Sequence, residues 1–220
     1  MAPVAVPSWV AGLRAGRPTR IMTYGTSLTA GGAWVDQLAA ALHDEFGDAA
    51  EVVNVGAGAM WSQWGVENLS ERVLSQSPDV VFIEFAMNDA FLPYDTSTEA
   101  CRVNLCYMLD RVKAALPRCE CVLQCMNVCV DEHSELRPNL AAYYQVYRAV
   151  AAERRLTLID NEPLWAVRRS RNELPALLLY NSHARACCQR LSAETVVRTL
   201  AAVLTLGLAR WWHTSHTRIL

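Results

Sequence analysis

Two rhythms of apolar and polar residues take turns along this chain. Short continuous apolar runs predict strands, and longer stretches with apolar residues every three or four positions predict helices. The strand-like runs are Thr19–Tyr24 (TRIMTY), Glu51–Val55 (EVVNV), Asp79–Phe85 (DVVFIEF), Glu120–Met126 and Leu156–Asp160 (LTLID). Between them lie helical segments at Ala33–Phe46, Trp64–Ser75, Thr98–Leu116 and Leu140–Arg155. A closing helix is predicted over Ser192–Leu206, with Ser192 as its N-cap. In the first helix Trp34, Leu38, Leu42 and Phe46 share one face, and Pro117 stops the third. The run DVVFIEF has no polar alternation before Glu84, as expected of a strand buried on both faces.

Strands separated by helix-length segments imply right-handed crossovers and a parallel sheet covered on both sides. The expected fold class is α/β: a three-layer sandwich with a five-stranded parallel sheet in flavodoxin-like order. One domain is expected over residues 1–220, with a core at about 19–207 and a tail at 208–220.

Composition narrows the function. Of 220 residues, 52% are hydrophobic and 19% charged, which places the chain among globular proteins. The net charge is -2, Lys113 is the only lysine, and the arginines are scattered. Nothing in this pattern calls for nucleic acid or an anionic membrane surface as partner. The N-terminal stretch, interrupted by Pro3 and Pro7, does not read as a signal peptide. The apolar segment Thr199–Ala209, bounded by Arg198 and Arg210, is too short to span a bilayer. A soluble, cytoplasmic protein is expected. The eight cysteines form no C-x-x-C pair, so reduced thiols in or near the core are expected, and no metal site or cofactor.

In open parallel sheets, ligands bind beyond the carboxyl ends of the strands. After the first strand stands Gly25-Thr26-Ser27-Leu28, where Gly25 permits a sharp strand-to-helix turn. Ser27 near a helix N-terminus can serve as a nucleophile or simply as a cap. Thr29 occupies the second glycine position of a G-x-S-x-G elbow, so that motif is absent. After the second strand, Gly56-Ala57-Gly58-Ala59 lets backbone N–H groups approach a ligand, with an oxyanion donor near Gly58 or Ala59. A phosphate loop would need G-x-G-x-x-G or a lysine, and neither is present. After the third strand, the Asn88 amide can donate to an oxyanion, or Asn88 and Asp89 can simply turn the chain. Glu84 is either a paired buried acid or a group supporting the site. His183, after the last strand, is placed to reach Ser27 as a base. His43 lies inside a helix, His213 and His216 lie in the tail, and His133 after the fourth strand is the competitor.

A serine block, a glycine block, an x-x-Asn-Asp block and a late histidine, in this order, resemble the SGNH (GDSL-type) hydrolases. The resemblance runs from Ile21 to about Leu200 and includes VVNVGAGAMWSQWG and DVVFIEFAMNDAF. It implies a serine esterase acting on a small acyl, carbohydrate or lipid ester. Ser27 would be the nucleophile and His183 the base. Gly58, Ala59 and Asn88 would form the oxyanion hole, joined by the Ser27 N–H. No metal or cofactor is implied. Three positions depart from the family pattern: Thr26 stands for the Asp of Gly-Asp-Ser, Ala86 for a Gly, and Tyr180 for the triad acid of Asp-x-x-His-Pro. In place of that acid, Asn181 or a backbone carbonyl would orient His183, or Asp160, Glu162 or Asp131 would fold in. The alternative is a catalytically impaired relative that binds acyl or sugar ligands. The loop Met60–Trp64 is aromatic-rich and either shapes a substrate pocket or packs.

Overall fold

A computed structural model describes residues 7–173, together with the backbone of 178–180 and 183–184. Helix α1 (Ser8–Arg14) leads into β1 (Thr19–Gly25), the four-residue α2 (Ser27–Ala30) and α3 (Ala33–Phe46). Next come β2 (Ala50–Asn54), α4 (Ser62–Arg72), β3 (Val80–Glu84), the short α5 (Ala86–Asp89) and α6 (Thr98–Ala115). The chain continues through β4 (Glu120–Cys125), α7 (Asp131–Glu135), α8 (Leu140–Arg154), β5 (Thr157–Asp160) and α9 (Glu162–Ser170). A hairpin of β6 (Leu178–Tyr180) and β7 (His183–Ala184) follows.

The five long-range strands form one parallel sheet in the order β2-β1-β3-β4-β5, the flavodoxin-like arrangement. All five strands and four of the helices stand within a residue or two, or at most three, of where the pattern puts them. β3 is buried at every position, as its unbroken apolar run requires. The predicted helix at 192–206 and the tail lie outside the described residues.

Alternation along β3 separates the two layers. Phe82 faces α1 and α3, where the rings of Trp9 and Trp34 pack against it at 6.4 and 6.5 Å between centroids. Phe85, like Tyr24, faces α4: the Tyr24 and Phe85 rings meet edge to face at 5.1 Å, and the Tyr24 hydroxyl donates to the Gly65 carbonyl at 2.8 Å. Each fully buried aromatic of this kind stabilises the fold by about 2–3 kcal/mol. The opposite layer is completed by α6 and α8, which pack on each other and on α4 and β4.

Helix α1 carries no strong signal in the sequence. Pro7 at its N-cap supplies no side-chain cap. The Glu120 carboxylate at the start of β4 does so instead, accepting from the Trp9 N–H at 2.8 Å and from the Ser8 hydroxyl. The cap is 111 residues away in the chain, which is why no local motif announces it.

Candidate active site

β1 and β3 are neighbours, and their register sets Gly25 opposite Glu84. A Cβ at Gly25 would lie 2.4 Å from Glu84 Oε1 and 2.5 Å from the Glu84 carbonyl oxygen. Gly25 is not among the residues with positive φ. Glycine is required here for close approach to Glu84, and the expectation that it serves a sharp turn through its own freedom is corrected. Into the space it leaves, Glu84 extends its carboxyl group beneath the turn that carries Ser27. Oε1 accepts from the Thr26 N–H at 2.8 Å, the Thr26 hydroxyl at 2.9 Å and the Thr29 hydroxyl at 2.7 Å. Thr26 in turn caps α2, its hydroxyl oxygen accepting from the Leu28 N–H at 3.1 Å. Glu84 is 2% exposed. Burial pushes its carboxyl up to about 7, against the hydrogen bonds from Thr29 and Thr26, and the nearby Asp89 adds to the rise. Ser27 is half-buried at the first position of α2.

The loop after β2 lies beside this turn. The Ala57 N–H donates to the Gly25 carbonyl at 2.9 Å, and the Asn54 amide to the Thr29 carbonyl at 2.8 Å. A Cβ at Gly56 would meet the Ala30 nitrogen at 2.8 Å, so this glycine lets the two loops touch. Gly58 differs: a Cβ there meets nothing within 4 Å. Ala59 has φ of +58°, left-handed backbone that costs a non-glycine residue energy. Both are exposed.

Three hydrogen bonds tie this loop to the segment after β3. The Asn88 amide donates to the Met60 carbonyl at 2.9 Å. The Tyr94 hydroxyl donates to the Ala59 carbonyl at 2.6 Å. The Ser62 N–H donates to Asp89 Oδ1 at 2.8 Å, which caps α4 where Trp61 offers no side-chain cap. Asp89 is buried, and burial raises its pKa. Arg137, between α7 and α8, reaches over the same segment. Its guanidinium donates to the Met87 carbonyl at 2.9 Å and to Asn88 Oδ1 at 3.3 Å, and lies 4.6 Å from the centre of the Phe91 ring. The Asn88 side chain is thus oriented from both ends. Trp61 stacks on Tyr94 at 4.5 Å, which forms an aromatic flank beside the loop.

Residues 22–183 match the model of the GDSL-like lipase/acylhydrolase family, a span that holds every one of these loops. The chain belongs to that family. Among solved structures, this GDSL-family protein is similar to an acetylxylan esterase of Geobacillus stearothermophilus, with 18% identity and a TM-score of 0.74, covering 84% of this chain and 95% of that one. It is also similar to LAE5, an α/β hydrolase from the metagenome of Lake Arreo, with 18% identity, a TM-score of 0.72 and coverage of 85% and 97%. A Parabacteroides merdae protein assigned as a GDSL-like lipase aligns with 16% identity and a TM-score of 0.76, covering 84% and 97%. At such identities the likeness establishes the fold. No curated protein matches the chain in sequence.

The sequence-predicted residues of this GDSL-family site divide in two. Ser27, Gly58, Ala59 and Asn88 fall in loops that follow three adjacent strands, β1, β2 and β3, and these loops are bonded to one another. His183 lies in β7, paired in register with Tyr180 of β6; its side chain and Asn181 lie outside the described residues. His133 is half-buried in α7, after β4, one strand farther from β1. Asp160 and Glu162, weighed as substitutes for the triad acid, are both engaged by Arg148, at 2.7 and 2.5 Å. Asp131 is exposed at the start of α7. Among the described residues no group of three His, Cys, Asp or Glu side chains could hold a metal ion, and no helix is long and apolar enough to cross a membrane. The six described cysteines are free thiols, four of them buried.

Sequence reasoning missed Arg137, Tyr94 and the bonding of Glu84 to Thr26 and Thr29. The available signal was Glu84 itself, a lone charge in an apolar strand, together with two threonines flanking Ser27.

Proposed function

We propose that this GDSL-family protein is a serine esterase that hydrolyses small acyl esters, including those of carbohydrate or lipid alcohols, through an acyl-enzyme. In this reading His183 takes the proton of the Ser27 hydroxyl as Ser27 Oγ attacks the ester carbonyl. The developing oxyanion accepts hydrogen bonds from the Gly58–Ala59 backbone, the Asn88 amide and the Ser27 N–H. Collapse of the tetrahedral species expels the alcohol, which takes its proton from His183. Water, deprotonated by His183, then attacks the acyl-enzyme and releases the acid and free Ser27.

One observation carries this reading: the loops bearing Ser27, Gly58–Ala59 and Asn88 leave adjacent strands at the same sheet edge and are hydrogen-bonded together. The family supports ester hydrolysis in general, and the acetylxylan esterase among its structural neighbours acts on an acyl ester.

A second reading rests on a specific departure. In that acetylxylan esterase, catalytic mutants replace an aspartate and, three residues later, a histidine. Three residues before His183 stands Tyr180. With Asp160 and Glu162 bonded to Arg148, the candidates left to orient the imidazole are the Asn181 amide, a backbone carbonyl or the exposed Asp131. An imidazole in the wrong tautomer lowers triad catalysis by roughly 10⁴. The protein would then bind acyl or sugar ligands and turn them over slowly or not at all.

The deciding experiment measures hydrolysis of p-nitrophenyl acetate and butyrate by wild type, Ser27→Ala and His183→Ala. Turnover in wild type that is lost in both variants is expected. Turnover that survives Ser27→Ala removes the proposed nucleophile, and an inert wild type that still binds acetylated sugars favours the second reading.

A further inference from the structure

We propose that Glu84 is a positioning residue for the nucleophile: its carboxyl group, filling the space left by Gly25, clamps the turn that carries Ser27 through Thr26 and Thr29. This rests on the reading of Ser27 as an esterase nucleophile. The geometry is specific. Ser27 sits between the two clamped threonines, and three donors from that turn converge on a single oxygen, Oε1. Oε2 lies 3.2 Å from the Thr26 hydroxyl. The contact spans 58 residues of chain and joins the end of β3 to the end of β1. Glu84 makes no ion pair among the described residues, and none of their cations holds it at the base of the turn.

Among the described residues, Glu84 has these titratable groups and close neighbours around it. Asp89 of α5 is a like charge. From α8 come Tyr144 and Tyr147, both held neutral by burial, with the Tyr147 hydroxyl accepting the Phe85 N–H at 2.9 Å. From the end of β1, the cap that follows it and α2 come Gly25, Thr26 and Thr29. A buried carboxyl with these neighbours keeps its place through the turn it holds.

The charge state matters to the clamp. An ionised carboxylate has lone pairs for all three donors, whereas a protonated carboxyl accepts less strongly and adds an O–H that needs its own acceptor. Proton uptake by Glu84 therefore slackens the turn and moves Ser27 off its line of attack. Small misplacements of a reacting group are costly in rate, commonly tenfold to a hundredfold.

The test is kcat and KM for p-nitrophenyl acetate from pH 5.5 to 9, in wild type, Ser27→Ala, Glu84→Gln and Thr29→Val, with folding checked by circular dichroism. Glutamine keeps the shape and removes the charge. At pH 8, Glu84→Gln is expected to lower kcat by roughly tenfold or more with KM within about twofold. Wild type is expected to lose activity on the acid side more steeply than Glu84→Gln, in which the Glu84 proton is absent. Thr29→Val covers the case in which Glu84→Gln does not fold. It removes a donor that favours the ionised carboxyl, so the acid limb should move to higher pH. Unchanged kcat and an unchanged acid limb in these variants overturn the clamp while leaving the esterase reading intact. Activity that survives Ser27→Ala overturns the esterase reading itself, and the clamp with it.

Discussion

The clamp carries an energetic consequence that can be measured without any substrate. The ordinary value for a glutamate carboxyl is 4.5, and in the folded protein burial raises that of Glu84 to about 7. At about 1.4 kcal/mol per pH unit, ionising this group costs the native state about 3 kcal/mol. The sign follows from proton binding. Between the two values the folded protein holds a proton that the unfolded chain releases, so raising the pH favours unfolding. The contribution of Glu84 to stability is fully present below pH 4.5, declines as pH rises, and is lost above about 7. Glu84→Gln removes the titration. Its stability relative to wild type should therefore climb by about 3 kcal/mol between pH 4.5 and 8 and then level off. For a chain of 220 residues this corresponds to a relative rise in Tm of roughly 6–12 °C. Urea unfolding of both proteins at half-unit intervals of pH gives the difference directly, since the other titrating groups are common to both and largely cancel. A difference that stays flat to within about 0.5 kcal/mol, or that falls with rising pH, would refute the argument by showing that Glu84 is ionised throughout. The expected result has a functional side. The charged form that holds the Ser27 turn best is the form that costs the fold most.

Three further outcomes are expected. Asn88→Ala should lower kcat by roughly 10²–10³ with a smaller change in KM, the usual cost of losing one oxyanion donor; a loss under fivefold, by steady-state ester kinetics, would take Asn88 out of the oxyanion hole. Gly25→Ala places a methyl 2.4 Å from Glu84 Oε1 and 2.5 Å from the Glu84 carbonyl oxygen, and should destabilise by about 1–3 kcal/mol in urea; combining it with Glu84→Asp should recover only part of the loss, because the carbonyl contact remains. Asp160→Asn weakens a partly buried pair with Arg148 and should cost about 1–3 kcal/mol of stability, while ester turnover stays within about twofold; a large loss of turnover would mean that Asp160 serves the histidine after all.

The hydrophobic pattern of this chain determined a good deal by itself. A run such as VVFIEF has no polar face to show to water, so it has to be a central strand, and β3 is buried throughout. Trp34, Leu38 and Leu42 share a stripe that only a helix can present, and α3 occupies the predicted residues end for end. Alternation of such segments leaves a parallel sheet as the arrangement that buries both kinds, and the rule for ligand sites then points to the loops bearing Ser27, Gly58 and Asn88. Helices α1 and α9 escaped because they are short and their caps or anchors lie elsewhere in the chain. Tertiary structure alone decided what lies under and around those loops. Periodicity says which face of an element is apolar, but it does not say which strand will be its neighbour. Only the order β2-β1-β3 sets Gly25 opposite Glu84 and lets a carboxyl 58 residues away bond to Thr26. Only the packing of α8 and the loop before it brings Arg137 onto Asn88. Burial satisfies polar groups with whatever partner the register delivers, and that pairing is a property of the folded arrangement.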